Sequence, residues 1–224
     1  MLKKFSLTIR IICLTLIGIA MMQIMVNLGK TGSLELDIFI PSMAVVLLTT
    51  FLPEILKRFN IRISNELYIM LLTSMILSMG GGFGFKLYQV LSHYDTVIHF
   101  LNGGIILVIS FSIIKCFFKD YDKHMIKIIV IAFLASVTIG TLWEIYEFGV
   151  DFILGNNMQR YQDINSGIDF VGQKALLDTM VDLVVDTIGA MLAGFILVRS
   201  HFRNKVITNA FNIEIINEQS IELI

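Results

Sequence analysis

Apolar residues run along this chain in stretches of about 20, the length that crosses a bilayer as a helix, with short polar clusters between them. Six such stretches fall at roughly 7–27, 37–57, 65–85, 95–117, 126–152 and 176–198. The pattern predicts an all-α, polytopic integral membrane protein. Six transmembrane helices would occupy residues 1–200, and 201–224 would form a cytoplasmic tail. Pro41 sits near the start of the second stretch, where proline is tolerated, and Pro53 near its other end predicts a kink. The third stretch closes in Gly80-Gly-Gly-Phe-Gly84, a point expected to unwind or to let another segment come close. The tail mixes charges with alternating apolar residues and is expected to be disordered or to lie on the bilayer.

Composition agrees with this pattern. The 224 residues are 56% hydrophobic and 16% charged, with mean hydropathy +0.80, whereas soluble domains are nearer 25% charged. A net charge of −1 without a basic stripe argues against nucleic acid as a partner. Cys13 and Cys116 form no CxxC motif and read as packing residues. The first helix resembles a signal peptide, but Ile19-Ala-Met-Met-Gln offers no A-x-A cleavage site, so it is expected to remain as a span.

Basic residues set the expected orientation. Lys3, Lys4, Arg10, Lys57, Arg58, Arg62, Lys115, Lys119, Lys123, Lys127, Arg199, Arg203 and Lys205 fall on one side. Lys30, Lys86, Arg160 and Lys174 fall on the other, 13 against 4. Positive residues favour the cytoplasm, so both termini are expected inside.

Against this background the charges inside the apolar stretches stand out. Asp95 and His99 open the fourth helix, Glu144, Glu147 and Asp151 close the fifth, and Asp178, Asp182 and Asp186 open the sixth. A charge at bilayer depth costs roughly 2.5 kcal/mol or more on insertion scales. The spacings are three and four residues, which puts each set on one helix face. All three sets belong to the outer half of the membrane. At about 1.5 Å per residue, His99, Glu147 and Asp182 lie within about 10 Å of its boundary. Small residues accompany them: Gly103 and Gly104, Ser136 and Gly140, Gly189 with Ala193, and Ala190 with Gly194. Such pairs let membrane helices approach closely.

Each residue also has a plain structural reading. Asp151 and Asp178 could cap helix ends, Asp95 could be an N-cap, and Trp143 and Tyr146 could be interface anchors. His99 could be a hydrogen-bonded structural histidine. Glu144, Glu147, Asp182 and Asp186 together resist that reading, because buried acids repel each other unless some are protonated or a cation is present. A carboxylate-rich set suits Mg²⁺, Mn²⁺ or Ca²⁺ better than Zn²⁺. The candidate ligands are Asp95, His99, Glu144, Glu147, Asp178, Asp182 and Asp186. In an enzyme, His99, Glu147 and Asp182 would be the catalytic residues, with Asp95 orienting His99. No GxSxG, HExxH, Walker or SxxK motif is present. The polar connection from about 154 to 174 hangs over the acids as a lid or a solvated loop.

Three segments carry a family resemblance: Tyr94-Asp-Thr-Val-Ile-His-Phe-Leu-Asn-Gly-Gly, Leu142-Trp-Glu-Ile-Tyr-Glu-Phe, and Asp178-Thr-Met-Val-Asp-Leu followed by Thr187-Ile-Gly-Ala. In this order they resemble the YjdF-like bacterial inner-membrane proteins, over roughly residues 94–194. A weaker likeness is to VanZ-like proteins, through the acidic-x-x-x-His helix start and a later acidic helix. The YjdF-like resemblance implies the bundle, a multi-pass place in the bacterial inner membrane, and the residues Asp95, His99, Glu144, Glu147, Asp178 and Asp182. It implies no reaction, and Asp186 rests on the membrane argument alone. The expected function is an outward-facing acid/His site, cation-dependent, acting on a lipid-linked or envelope substrate among membrane lipids. The alternatives are a proton- or cation-coupled transporter and a non-catalytic scaffold or immunity-type protein.

Overall fold

The computed structural model describes residues 2–31, 38–118, 120–164 and 166–216. Within these, five helices are long and apolar enough to cross a membrane, and a sixth span results if one bent helix pair is counted as a single crossing. The residues group into two compact units, one comprising the chain up to Tyr94 together with the segment from Ala210, the other Asp95–Asn209.

The first unit holds α1 (Leu2–Thr31), α2 (Phe39–Thr49), α3 (Leu52–Arg58), β1 (Ile61–Ile63), α4 (Asn65–Met75), α5 (Leu87–Val90) and β2 (Ile213–Ile215). The predicted second span is therefore two helices, bent by 53°. Pro53, in the first turn of α3, cannot donate to the ladder across the break. At the break itself, the carbonyl of Thr50 accepts side-chain donors: Ser6 Oγ at 3.2 Å, Arg10 Nη2 at 2.5 Å and Tyr68 Oη at 3.1 Å. Arg10 continues to Glu54 Oε1 at 2.6 Å. A backbone acceptor released inside an apolar region is thus satisfied three times over, as a low-dielectric setting demands.

After α4 the helix widens into π-helical turns over Ile76–Gly84. A Cβ on Gly81 would stand 2.6 Å from the Tyr94 hydroxyl, and one on Gly82 would collide with the Tyr88 ring. The glycine run is a place of close approach, as its composition predicts.

The tail departs from expectation in its described part. Instead of being disordered, residues 206–210 form α9 (Val206–Ala210), and β2 pairs antiparallel with β1, Ile61 opposite Ile215. Ser64 fixes this join. Its N–H donates to Asn212 O at 2.9 Å, while its hydroxyl accepts from Asn212 N–H at 3.2 Å and caps α4 through Leu67 N–H. The tail expectation for residues 217–224 lies outside the described residues.

The second unit is built on α6 (Tyr94–Cys116), α7 (Tyr121–Leu154) and α8 (Leu177–Arg203), the last preceded by a 3-10 turn at Gly172–Leu176. Its burial is inverted relative to a soluble bundle. Val130, Leu134, Leu142, Phe148, Val184, Ile188 and Phe195 face outward, while Asp95, His99, Glu144, Glu147, Asp151, Asp182 and Asp186 are buried. An apolar exterior around a polar interior is what lipid selects.

Candidate functional site

Close helix packing brings the polar stripes together. A Cβ on Gly103 of α6 would collide with the backbone of Asp186 on α8, and one on Gly189 would collide with the Phe100 carbonyl. On α7, a Cβ at Gly140 would stand 2.7 Å from Asp186 Oδ2. Ser136 Oγ donates to Gly103 O at 2.8 Å, joining α7 to α6. The three helices therefore meet through glycine and serine, the arrangement that small-xxx-small spacing favours.

Two triples of ligand atoms result, His99–Glu144–Asp182 and Asp95–Asp178–Asp182, each with its atoms within 4.8 Å of one another. Asp182, on the inner face of α8, belongs to both. Glu144 is 4% exposed and Asp182 2% exposed. Both oxygens of Glu144 and Oδ2 of Asp182 are buried with no hydrogen-bond partner among the described residues. Thr179 and Gln159 stand beside the Glu144 carboxylate, but Gln159 Nε2 donates to the Glu144 backbone carbonyl and to Thr179 Oγ1 instead. Buried polar atoms are normally paired, so orphaned carboxylate oxygens converging on a common point need an explanation.

His99 is held at both ring nitrogens. Nδ1 lies 3.2 Å from Asp186 Oδ2 and Nε2 lies 3.7 Å from Asp95 Oδ1. A carboxylate behind Nδ1 fixes ring orientation and directs Nε2 forward, the usual support of a ligating histidine. Asp186 thus falls outside both triples and stands behind the ring. Glu147 also falls outside them, and its Oε1 accepts from Trp143 Nε1 at 2.8 Å. Trp143 is consequently a partner of a buried acid as well as an aromatic near the helix end.

Asp151 has a structural part. Its two oxygens accept the backbone N–H groups of Met158 and Gln159, at 2.7 and 2.9 Å. This anchors the loop after α7 across the acidic end of the unit. Beyond the anchor the loop folds on itself, with Phe170 N–H donating to Tyr161 O at 2.8 Å. Its described residues fold over the acidic end as a cap. The residue it delivers is Arg160, whose Nη2 lies 3.3 Å from Asp95 Oδ2 and whose Nη1 lies 3.6 Å from Asp178 Oδ1. Sequence reasoning counted Arg160 as one of a few outward bases and gave it no role. The available signal was its position in the connection between the two most acidic helices.

A profile of the family described as Predicted membrane protein (DUF2238) matches residues 9–203. The chain belongs to the DUF2238 family. This places the DUF2238 protein among membrane proteins with several spans. It is similar to a Thermotoga maritima protein described as uncharacterized, 30% identical over 131 residues, which is 58% of this chain and 61% of that protein. The match thus spans less than two thirds of the relative's length. No solved structure matches.

Proposed function

We propose that this DUF2238 protein is a bacterial cell-membrane protein that holds a hard divalent cation among α6, α7 and α8. The site would open to the outer leaflet and act there on a lipid-linked or envelope substrate. One observation carries the cation: the Glu144 carboxylate is buried with neither oxygen hydrogen-bonded among the described residues, and it meets His99 and Asp182 with ligand atoms within 4.8 Å. Opposite ligands of a hard cation, each about 2.1–2.5 Å from it, stand about 4–5 Å apart, so one ion can reach all three. Oxygen donors favour Mg²⁺, Mn²⁺ or Ca²⁺, and the single histidine leaves Zn²⁺ open. The ion would supply Lewis-acid chemistry. His99 would be a ligand held by Asp186, and Glu147 a base nearby. The finer likeness to YjdF-like proteins, the weaker one to VanZ-like proteins and a place in the inner membrane with both termini cytoplasmic belong to this reading.

A second reading has its own support. His99 lies between Asp95 and Asp186, an imidazole flanked by two carboxylates, which suits proton transfer in a coupled transporter.

The test is metal analysis of purified protein together with thermal-shift titration of Mn²⁺ into wild type, Glu144→Gln and Asp182→Asn. Bound metal and ion-dependent stabilisation in wild type, lost in both variants, are expected. No metal, with equal ion response in all three, would reject the cation and leave the transporter. Variants without any functional cost would point to a scaffold. Orientation is tested separately by cysteine labelling of intact cells. Asn157→Cys should label from outside, and labelling of Asn204→Cys would overturn the topology.

A further inference from the structure

The second triple, Asp95–Asp178–Asp182, differs from the first in what stands over it. Asp182 is common to both triples. It is 2% exposed, and its Oδ2 has no hydrogen-bond partner among the described residues. Asp178 Oδ2 is likewise buried and unpaired. The positive charge here is Arg160, brought in by the loop that Asp151 anchors. Its contacts with these two acids, 3.3 and 3.6 Å, are longer than the about 2.7–2.9 Å of a charge-assisted hydrogen bond. Arg160 thus neutralises the two acids without closing the bidentate fork that makes arginine–carboxylate pairs hard to break. Its backbone has φ +48°, a left-handed conformation that costs a side-chain-bearing residue energy and that the anchored loop imposes.

We propose that the DUF2238 site is a two-cation centre in which Asp182 bridges the two positions and Arg160 occupies the second as a displaceable built-in counter-charge. This rests on the reading of His99–Glu144–Asp182 as the first cation position. A carboxylate shared between two metals about 3.5–4 Å apart is a common way to hold such a pair. Arg160 and the second ion exclude each other, because both neutralise Asp95 and Asp178. Entry of the second ion therefore requires the guanidinium to leave, and the loop carrying it becomes a gate on cation loading.

Mn²⁺ is the probe, with stoichiometry by metal analysis and pairing by the electron paramagnetic resonance signal of coupled Mn²⁺ ions. The proteins are the full-length wild type, Arg160→Gln and Asp178→Asn. Wild type should bind one ion tightly and a second weakly. In Arg160→Gln the second ion should bind tighter by roughly tenfold or more, since apparent affinity scales with the fraction of sites that stand open. The coupled signal should then appear at lower Mn²⁺. Asp178→Asn should keep the first ion and never show the coupled signal, a result that does not depend on how well Arg160→Gln folds. Equal second-ion affinity in wild type and Arg160→Gln, or a coupled pair in Asp178→Asn, would overturn the two-cation centre and leave the first position standing. No ion in any of the three would remove the first position, and this inference with it.

Discussion

The two ends of the α6–α7–α8 unit both carry charge on apolar helices, yet they resolve it differently. At one end, Lys115 is buried and donates to the Thr208 carbonyl at 2.8 Å, and Lys205 pairs with Asp122 at 2.7 Å. Tyr121 Oη donates to Asn209 Oδ1 at 3.0 Å. Each of these groups has a partner within the protein, and only the buried His201 Nδ1, 3.6 Å from Asp122 Oδ1, makes no hydrogen bond there among the described residues. The other end gathers Asp95, Glu144, Glu147, Asp178, Asp182 and Asp186 around His99 and Arg160, and leaves the Glu144 carboxylate oxygens without a hydrogen bond among the described residues. Removing water from an ion costs several kcal/mol, and only a partner offsets it. The lesson is that charge in a membrane helix marks a structural join when its partners are inside the chain. It marks a binding site when the pairing is incomplete.

The largest effect should come from breaking the scaffold that both ends share. Gly189→Leu places a side chain where the Phe100 carbonyl lies. It should separate α6 from α8 and abolish monodisperse, cooperatively melting protein, read by size exclusion and circular dichroism. Normal melting of this variant would show that the close helix crossing is not what assembles the site. Next comes Glu144→Gln, which acts at the acidic end alone. Mn²⁺ affinity should fall by more than about 100-fold, beyond the 10–100-fold typical of losing an outer-shell partner. The ion-free protein should melt at or above the wild-type temperature, because an unpaired buried acid is removed. A lower melting point without ion would mean that Glu144 has a partner and is structural.

How far the sequence carried can be judged from these residues. The acids on α6, α7 and α8 were legible because three- and four-residue spacing on an apolar helix admits one buried face. Gly103, Gly140 and Gly189 were legible for the same reason, as was the break beside Pro53. Arg160 was not, because its position depends on how a loop of irregular backbone folds back, and on Asp151 capturing the N–H groups of Met158 and Gln159. Helix periodicity has no bearing on that. The division of labour among the acids was equally hidden. Glu147 turns to Trp143 and Asp186 to the back of His99, which are choices of rotamer. The pairing of β1 with β2 escaped notice because three-residue strands far apart in sequence leave no pattern, and mutual hydrogen bonding alone selects them.

Asp186→Asn sharpens the comparison from within the acidic end. The residue is expected to position His99 without touching the ion. Mn²⁺ affinity should fall by about 10–100-fold, the usual cost of losing the carboxylate behind a ligating histidine. The ion should still bind at the same stoichiometry, and zinc or manganese loading at high concentration should recover it. Loss of all binding would instead make Asp186 a ligand, and unchanged affinity would make its contact with His99 incidental.

The smallest effect belongs to the opposite end. In the Lys205→Gln variant the pair with Asp122 is lost, but both residues are about half exposed, where ion pairs contribute little. Cation affinity should therefore match wild type, and the melting temperature should drop only slightly. The pH dependence gives that small drop a signature. The carboxylate of Asp122 accepts a hydrogen bond from Lys205 and holds the ammonium above its ordinary value. A folded-state value raised above the unfolded one gives stability that is complete below the unfolded value, near 10.4 for lysine, and is lost as pH rises through the folded value. The difference between wild type and Lys205→Gln should thus be flat through neutral pH and close under strongly alkaline conditions, and again at acid pH, where the Asp122 carboxylate that Lys205 holds below its ordinary value becomes protonated, as thermal melts across pH would show. A change in Mn²⁺ affinity in this variant would mean that the two ends are energetically coupled. The contrast between the two ends would then no longer describe two independent halves of the same helices.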